Sequence, residues 1–533
     1  MEWRAFLAIT LSIFVLLAFQ VFFPEQQNAT APQGNKANTE LAQKAPSKVE
    51  HHTNGAMKQE SIGTRTRKPL RQPKDVVIET DLYKAVFTEE GGAVKAFYLK
   101  KYRETVEKDS PPVNLVNAVP PVLPLAIGFT GKTSGSFEPI FMDAQKGEDT
   151  LTFIGEIEGG TKVKEVFKFK KDSYWIDLEI EVLGQGKDFP VIALSNRPVL
   201  KSSRYSFQGI SYYGKDGLQE VKLDKGETKT YHGPIKWLGI GDKYFMASVI
   251  PLTPEVPEWQ VSMSLIEGDG LSTAWLSPRF AGKAPQKLSL GLYFGPKEID
   301  VLKAVDHSLA EAINFGWFDV LAKPLLYFLK FLYKFTHNYG VAIIIVTVLI
   351  KIAFWPLAHK SAKAMKTMQK LQPRLQKLKE KYGDDKERLN KELLQLYKTY
   401  KINPMSGCLP MLLQLPVFFA LYKVLLQAIE LRHAPFMLWI NDLSAPDRLM
   451  IPGVDIPMVH GIPVLTILMG VSMWGQQKMS PASLDPTQAK MMQFLPVIFT
   501  FMFLTFPSGL VLYWLVNNIL SVAQQYYINK FTD

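Results

Sequence analysis

Apolar residues along this chain follow two different rhythms. From Val76 to about residue 310 they alternate with polar ones, whereas over residues 5–23, and repeatedly beyond residue 339, they form runs of bilayer-crossing length. In the first rhythm, Tyr174, Ile176, Leu178, Ile180 and Val182 alternate with Trp175, Asp177, Glu179 and Glu181, as in a strand with one buried face. The β-rich stretches Ala85–Phe87, Val94–Leu99, Val163–Phe169 and Leu288–Phe294, bounded by Gly, Pro, Asp or Lys turns, extend the pattern. Together they predict one large β-sandwich domain over residues 76–316.

The second rhythm starts at the beginning of the chain. Residues 5–23, behind Arg4, exceed the apolar core of a cleavable signal, so residues 1–23 read as an uncleaved signal-anchor helix, although Ala29-Thr30-Ala31 mimics a cleavage site. Residues 24–75, rich in Gln, Asn, Pro, Lys and Thr, bury too little to offset ordering entropy and predict a disordered tether. Over residues 317–338, Lys323, Lys330 and Lys334 share one helical face among Leu325, Leu326, Phe328, Leu329, Phe331 and Leu332. That pattern predicts an amphipathic helix in the membrane interface, with a soluble core helix as the alternative. Residues 339–357 form the next span. Further apolar stretches near 408–429, 463–478, 491–505 and 509–528 place four more helices within residues 405–530, making about six transmembrane helices.

The net charge of +11 invites a nucleic-acid reading, but its placement argues against one. Thirteen Lys and Arg against five acids lie between Ala358 and Pro404, including Lys370, Arg374 and Lys377. Such a loop between apolar spans marks a cytoplasmic segment, which puts both termini in the cytoplasm and the β domain outside. The 3-4 spacing of Met365, Met368, Leu371, Leu375, Leu378 and Tyr382 resumes at Leu389, Leu393, Leu396 and Tyr400, after a Gly383-Asp384-Asp385 turn that supplies a capping carboxylate. Residues 358–404 therefore predict a helical hairpin, kinked in its first arm at Pro373. Its charged surface suits contact with partners through Lys370, Arg374, Lys377, Asp384 and Asp385. The single cysteine, Cys408, rules out an intrachain disulfide.

Candidate chemistry is concentrated in the apolar half. Lys351 stands inside the run Val341–Leu357, where a cation costs about 2.5–3.5 kcal/mol and normally faces a wet cavity or a partner. Snorkelling toward water is the other reading. Thr347 and Trp355 share its face, and Gln414 adds a mid-span amide, whereas Lys423 lies on the opposite side of its helix near the outer end. In the last span Tyr513, Asn517, Ser521 and Gln524 form one polar stripe. Such stripes also serve as interhelical glue of about 1 kcal/mol per contact. Glu430 stands at a membrane edge and the remaining acids lie in loops, so Lys351 has no evident counter-ion. Met411, Met491 and Met492, with Phe418, Phe419 and Phe494, supply flexible apolar surface for passing segments, or plain lipid-facing packing.

Catalytic signatures are missing. Ala126 stands where a phosphate loop ending in Gly131-Lys132-Thr133 needs its first glycine, so that tripeptide reads as a turn. The histidines show no metal-ligand spacing and no GxSxG occurs, so neither metal, cofactor nor enzyme activity is expected. An intramembrane lysine also suits a solute or proton-coupled transporter, and the β domain alone suits a carbohydrate-binding module or enzyme on a membrane anchor.

Several stretches are more specific: LQPRLQKLKEKYGDDKERLNKELLQLYK, KINPMSGCLPMLLQLPVFFALY, LRHAPFMLWINDLSAPD, QKMSPASLDPTQAKMM and FLPVIFTFMFLTFPSGLVLYWLVNN. In these the chain resembles, over essentially its whole length, the YidC/Oxa/Alb membrane protein insertases of Gram-negative type. The resemblance implies a polytopic α-helical membrane protein of the inner membrane, with a periplasmic β-supersandwich related to sugar-epimerase folds. It also implies a five-helix core whose hydrophilic groove opens to cytoplasm and lipid. Nascent membrane proteins would be its clients, taken alone or with the Sec translocon, with membrane lipids around it, weak ribosome contact through cytoplasmic loops and no specific nucleic-acid sequence. The short tail after Tyr527 implies no strong ribosome-docking extension. By position, the family's groove arginine is Lys351 here, which keeps the charge and loses the bidentate fork. Gln414 matches a groove glutamine, and Tyr513 and Trp514 a pair associated with substrate contact. The implied groove thus comprises Lys351, Thr347, Gln414, Tyr513, Trp514, Asn517, Ser521 and Gln524.

Overall fold

A computed structural model describes residues 71–118, 122–130, 137–156, 160–183, 191–197, 207–265, 270–279, 287–305, 307–382, 385–400, 409–453, 459–479 and 486–531. The expected signal anchor, nearly all of the tether and the Gly131-Lys132-Thr133 turn lie outside the described residues.

Three antiparallel sheets account for residues 75–296. A four-stranded sheet covers Asp75–Asn114. A nine-stranded sheet runs from Gly217–Glu220 at one edge to Met142–Lys146 at the other, and a six-stranded sheet from Thr228–Gly233 to Phe137–Pro139. The period-two stretches are strands of these sheets. In Trp175–Leu183, Ile176, Leu178 and Ile180 are buried, while Asp177, Glu179 and Glu181 stay partly exposed. Glu179 pairs across both neighbouring strands, with Lys168 at 2.9 Å and Lys287 at 3.0 Å. One face therefore makes the core and the other a charged ladder, which fixes the register because a one-residue slip would exchange them. Phe87, Phe153 and Phe167 meet in the core, with ring centroids 5.0–6.4 Å apart.

The β-rich part closes with the short helix α1 (Ile299–Val305), and the rest of the chain is helical: α2 (Asp319–Thr336), α3 (Tyr339–Tyr382), α4 (Lys386–Thr399), α5 (Leu409–Gln427), α6 (Val464–Met479), α7 (Pro486–Phe503) and α8 (Ser508–Phe531). The expected apolar stretches thus fall on α5 to α8. Among the described residues, one helical stretch, Tyr339–Met368 within α3, is long and apolar enough by itself to cross a membrane. Leu413–Gln427 and Gln493–Phe503 are shorter apolar segments.

The expected boundary between a span at 339–357 and a hairpin from 358 is absent as a break in structure. α3 continues as one 44-residue helix through Pro356 and Pro373 to Tyr382, and only then turns into α4. A proline removes one hydrogen bond and crowds the preceding turn, and here the flanking helix former residues carry the helix past both sites. Asp385 caps α4 by accepting from the Arg388 amide at 3.0 Å, the role expected of the turn carboxylate. Asp384 lies outside the described residues.

Candidate functional site: a polar seam between α3, α5 and α8

α8 is the hub of the helical part, packing against α3, α5 and α6. Its stripe reaches two partners with different chemistry. Lys351 Nζ on α3 donates to Ser521 Oγ at 2.8 Å, and Gln414 Nε2 on α5 donates to Asn517 Oδ1 at 3.0 Å. Ser521 Oγ in turn donates to the Asn517 carbonyl one turn back, at 2.7 Å. Gln414 also lies beside the buried Tyr513, so the three helices share one polar seam. Among the described residues Lys351 makes no ion pair, and a hydroxyl is its only side-chain partner. One turn farther on, the buried Gln524 Nε2 has no hydrogen-bond partner among the described residues.

Thr347 does not join the seam. It is buried and donates its hydroxyl to the Ile343 carbonyl at 2.6 Å. Trp355 packs on Tyr527 instead, at 5.9 Å between centroids. Beside the seam lies an aromatic wall in which Trp514 meets Phe418 edge-on at 4.8 Å and Phe503 at 5.0 Å. Phe419, five residues beyond Gln414 on α5, stacks on Phe318, just ahead of α2, at 5.6 Å and does not join the seam. Phe494 stands outward on α7 and is 65% exposed. Met411, Met491 and Met492 sit on α5 and α7, with side chains outside the described residues. On the distal part of α3, Lys370 and Lys377 are exposed and the Arg374 guanidinium lies 5.3 Å over the Tyr400 ring.

The matches to known proteins decide the family. Residues 331–533 match the family described as 60Kd inner membrane protein, and residues 75–328 match the YidC periplasmic domain. The membrane protein insertase YidC of Syntrophus aciditrophicus is 42% identical over 99% of this chain and 100% of its own length. That of Pelobacter propionicus is 41% identical over 100% of both. The chain belongs to the YidC family of membrane protein insertases. It is an inner-membrane protein with a periplasmic β-rich domain, it works on membrane proteins, and its role is insertion rather than catalysis. A solved active YidC insertase with its first transmembrane domain resolved is 20% identical, covering 87% of this chain and 95% of that one at a TM-score of 0.37.

Three features of the helical part escaped sequence reading. Lys330 on α2 is gripped by Asp300 at 2.8 Å, Glu430 at 3.1 Å and Glu298 at 3.4 Å. Although burial opposes the ammonium, the nearby carboxylates, Glu430 foremost, raise its pKa above the ordinary lysine value. Lys323, the next member of that stripe, is held by Asp319 and Glu311 at 2.8 and 2.9 Å, so two of the three lysines point at this protein's own acids. Asp447 is buried and caps α6 by accepting from the Thr466 amide at 3.2 Å, from the Leu465 amide and from Trp439 Nε1 at 2.6 Å. Arg448 closes the end of α7 by donating to the Leu504 carbonyl at 2.7 Å. Finally, Asn518 Nδ2 on α8 donates to Ser472 Oγ on α6 at 3.0 Å. The signal for the first was visible: Lys330 and Glu430 are isolated opposite charges, each beside an apolar run.

Proposed function

We propose that the seam of Lys351, Ser521, Asn517, Gln414 and Tyr513 lines a hydrated groove that receives a short hydrophilic segment of a client, lowering the barrier to its passage into the bilayer. The observation that carries this reading is that Lys351, inside a helical stretch long and apolar enough to cross a membrane, is held by one hydroxyl and no carboxylate among the described residues. A cation within a membrane span normally acquires a counter-ion. Here the acidic residues of an arriving tail supply it, and the fixed hydroxyl and amides replace water around the segment. The client's apolar part then leaves along Phe418, Trp514 and the outward face of α7, where Phe494, Val497, Ile498 and Phe501 are exposed. In the same reading about six helices cross the membrane with both termini cytoplasmic, and the β-rich domain is a supersandwich. The α3–α4 hairpin meets the ribosome and the Sec translocon through Lys370, Arg374 and Lys377, and some clients are inserted without the translocon.

The test is insertion of a single-span client with an acidic tail into proteoliposomes carrying Lys351→Ala, Lys351→Glu or Lys351→Arg protein. Ala lowers and Glu abolishes insertion of the acidic tail, Arg preserves it, and a client with an uncharged tail is indifferent to all three. Equal insertion by every variant overturns the role of the charge. Transport of a small solute by vesicles without any client would favour the transporter reading.

A further inference from the structure

Between α5 and α6 the chain makes two reverse turns that display their apolar side chains outward. Met437 and Leu438 at the first are 50% and 81% exposed, and Met450 and Ile451 at the second 70% and 42%. Backbone hydrogen bonds hold the described residues of both turns. In the first, the Phe436 amide donates to the Ile440 carbonyl at 2.9 Å and the Ile440 amide to the Met437 carbonyl at 3.1 Å. Behind the second, Leu449 and Ile462 exchange backbone hydrogen bonds of 2.8 and 3.0 Å. Trp439 Nε1, bonded to Asp447, ties one turn to the other.

Leu438 carries two penalties at once. Its φ of +55° lies in the left-handed region, where a leucine Cβ crowds the following carbonyl and a glycine or asparagine would not. Its side chain is also almost fully exposed, which water disfavours. A strained residue that persists in a rigid turn points to a gain made elsewhere.

The level of the first turn is set by α3. Asn338 Nδ2 donates to the Phe436 carbonyl at 2.8 Å, and the Phe436 ring lies over Gly340, where any Cβ would run into it. Asn338 also caps α3, accepting from the Val341 amide at 3.1 Å. The turn is thus bolted to the first turn of Tyr339–Met368, the stretch long and apolar enough to cross a membrane, which begins shortly after the periplasmic-domain match ends at residue 328. What lies beside the outer end of such a helix is the boundary between headgroups and acyl chains. The exposed Phe331 and Phe335 of α2 arrive at the same end, because Tyr333 stacks on Tyr339 with centroids 4.0 Å apart.

We propose that the Met437–Leu438 and Met450–Ile451 tips form a wedge that dips into the outer leaflet, with lipid acyl chains as its partner. It needs α3 to cross the membrane with its N-terminal end periplasmic, and is independent of the polar groove. In this arrangement the bilayer, rather than the protein, satisfies Leu438, and the α5–α6 connection holds the helical bundle at a fixed height in the outer leaflet.

The test uses the full chain with its one cysteine removed (Cys408→Ser) and an environment-sensitive fluorophore at Leu438→Cys or Met450→Cys. Each protein is reconstituted into phosphatidylethanolamine–phosphatidylglycerol vesicles, with Lys225→Cys in an exposed β-domain turn as the aqueous control. The wedge predicts blue-shifted emission at 438 and 450, quenching by lipid with a nitroxide high on its acyl chain, and severalfold weaker quenching by iodide than at 225. Iodide quenching equal to the control overturns it, because the tips are then in water. Protection from both quenchers overturns it too, because protein then covers them. The two positions lie on separate turns, so a substitution that disturbs one leaves the other as the reporter.

Discussion

Lys330 and Lys351 lie on consecutive helices and meet opposite treatment. Lys330, at the junction with the β-rich domain, has three carboxylates within 3.4 Å and little exposure; Lys351 has one serine hydroxyl. Taking a charge out of water costs several kcal/mol, which a set of well-placed opposite charges offsets and a single neutral acceptor does not. The first lysine is therefore a fastener that ties Glu298 and Asp300, at the end of the β-rich domain, to Glu430 behind α5. Among the described residues the second has no carboxylate to offset that cost. In the proposed groove, a cost retained at one place and neutralised at another is what separates a binding position from a structural one.

The comparison breaks most visibly at the fastener. Lys330→Ala leaves Glu430, whose side chain is 6% exposed, without its counter-charge, and should cost about 3–5 kcal/mol. Thermal unfolding in detergent reads this as a large fall in midpoint, and the double variant Lys330→Met with Glu430→Leu should recover much of it. Lys351→Ala should do the reverse. It removes a cation that costs about 2.5–3.5 kcal/mol within a span, so stability holds or rises while insertion of acidic tails falls. If Lys351→Ala unfolds the protein as readily as Lys330→Ala, the two lysines are alike and the distinction fails.

A third lysine tests the same idea by pH. Lys243 lies 4.4 Å over the Tyr244 ring, and burial, only partly countered by Asp442 and Asp242, holds its pKa down at about 8. A folded-state value below the unfolded one means that the unfolded chain binds the extra proton between about pH 8 and 10.5. Lys243 therefore weakens the fold fully below pH 8, and stability climbs as pH rises through that window. The shift caps the effect at about 3 kcal/mol, and roughly half that is expected because the side chain keeps some contact with water. Lys243→Met should raise the thermal midpoint at pH 7 and flatten its rise toward pH 10. A parent protein whose midpoint falls over that interval as steeply as the variant's would remove the burial argument.

How far the sequence could be read depended on whether partners are close along the chain. The strand through Ile176, Leu178 and Ile180 was legible because alternation encodes one buried face, and α5 to α8 because unbroken apolar runs encode length. The α8 stripe was legible because a 3.6-residue period sets angles within one helix. Those angles say nothing about what another helix brings opposite. Lys330 and Glu430 are 100 residues apart, and Gln414 and Asn517 are 103 apart. Thr347 shares a helical face with Lys351 yet gives its hydroxyl to its own helix, because face arithmetic cannot tell how wide a cleft is. The unbroken course of α3 past Pro356 and Pro373 was hidden for a similar reason: a proline signals the loss of one hydrogen bond, while the helix survives if its neighbours make the rest.

The smallest effect gives the finest discrimination, because it compares neighbours on one helix. Asn517 and Asn518 are adjacent on α8 and face different helices, Asn517 accepting from Gln414 on α5 and Asn518 donating to Ser472 on α6. In the proposed membrane arrangement both bonds join helices within the bilayer, where such contacts average about 0.6 kcal/mol and reach about 1.7. On stability alone the two alanine variants should be nearly indistinguishable. They should part on function: Asn517→Ala opens the polar seam next to Ser521 and Lys351, and should slow insertion of clients with hydrophilic tails more than its stability loss accounts for. Asn518→Ala loosens α6 from α8 and should lower insertion only in step with stability. Insertion rates normalised to folded protein would then order parent and Asn518→Ala together above Asn517→Ala. The opposite order would mean that the α6–α8 contact, and not the seam with α5, lines the path of the client.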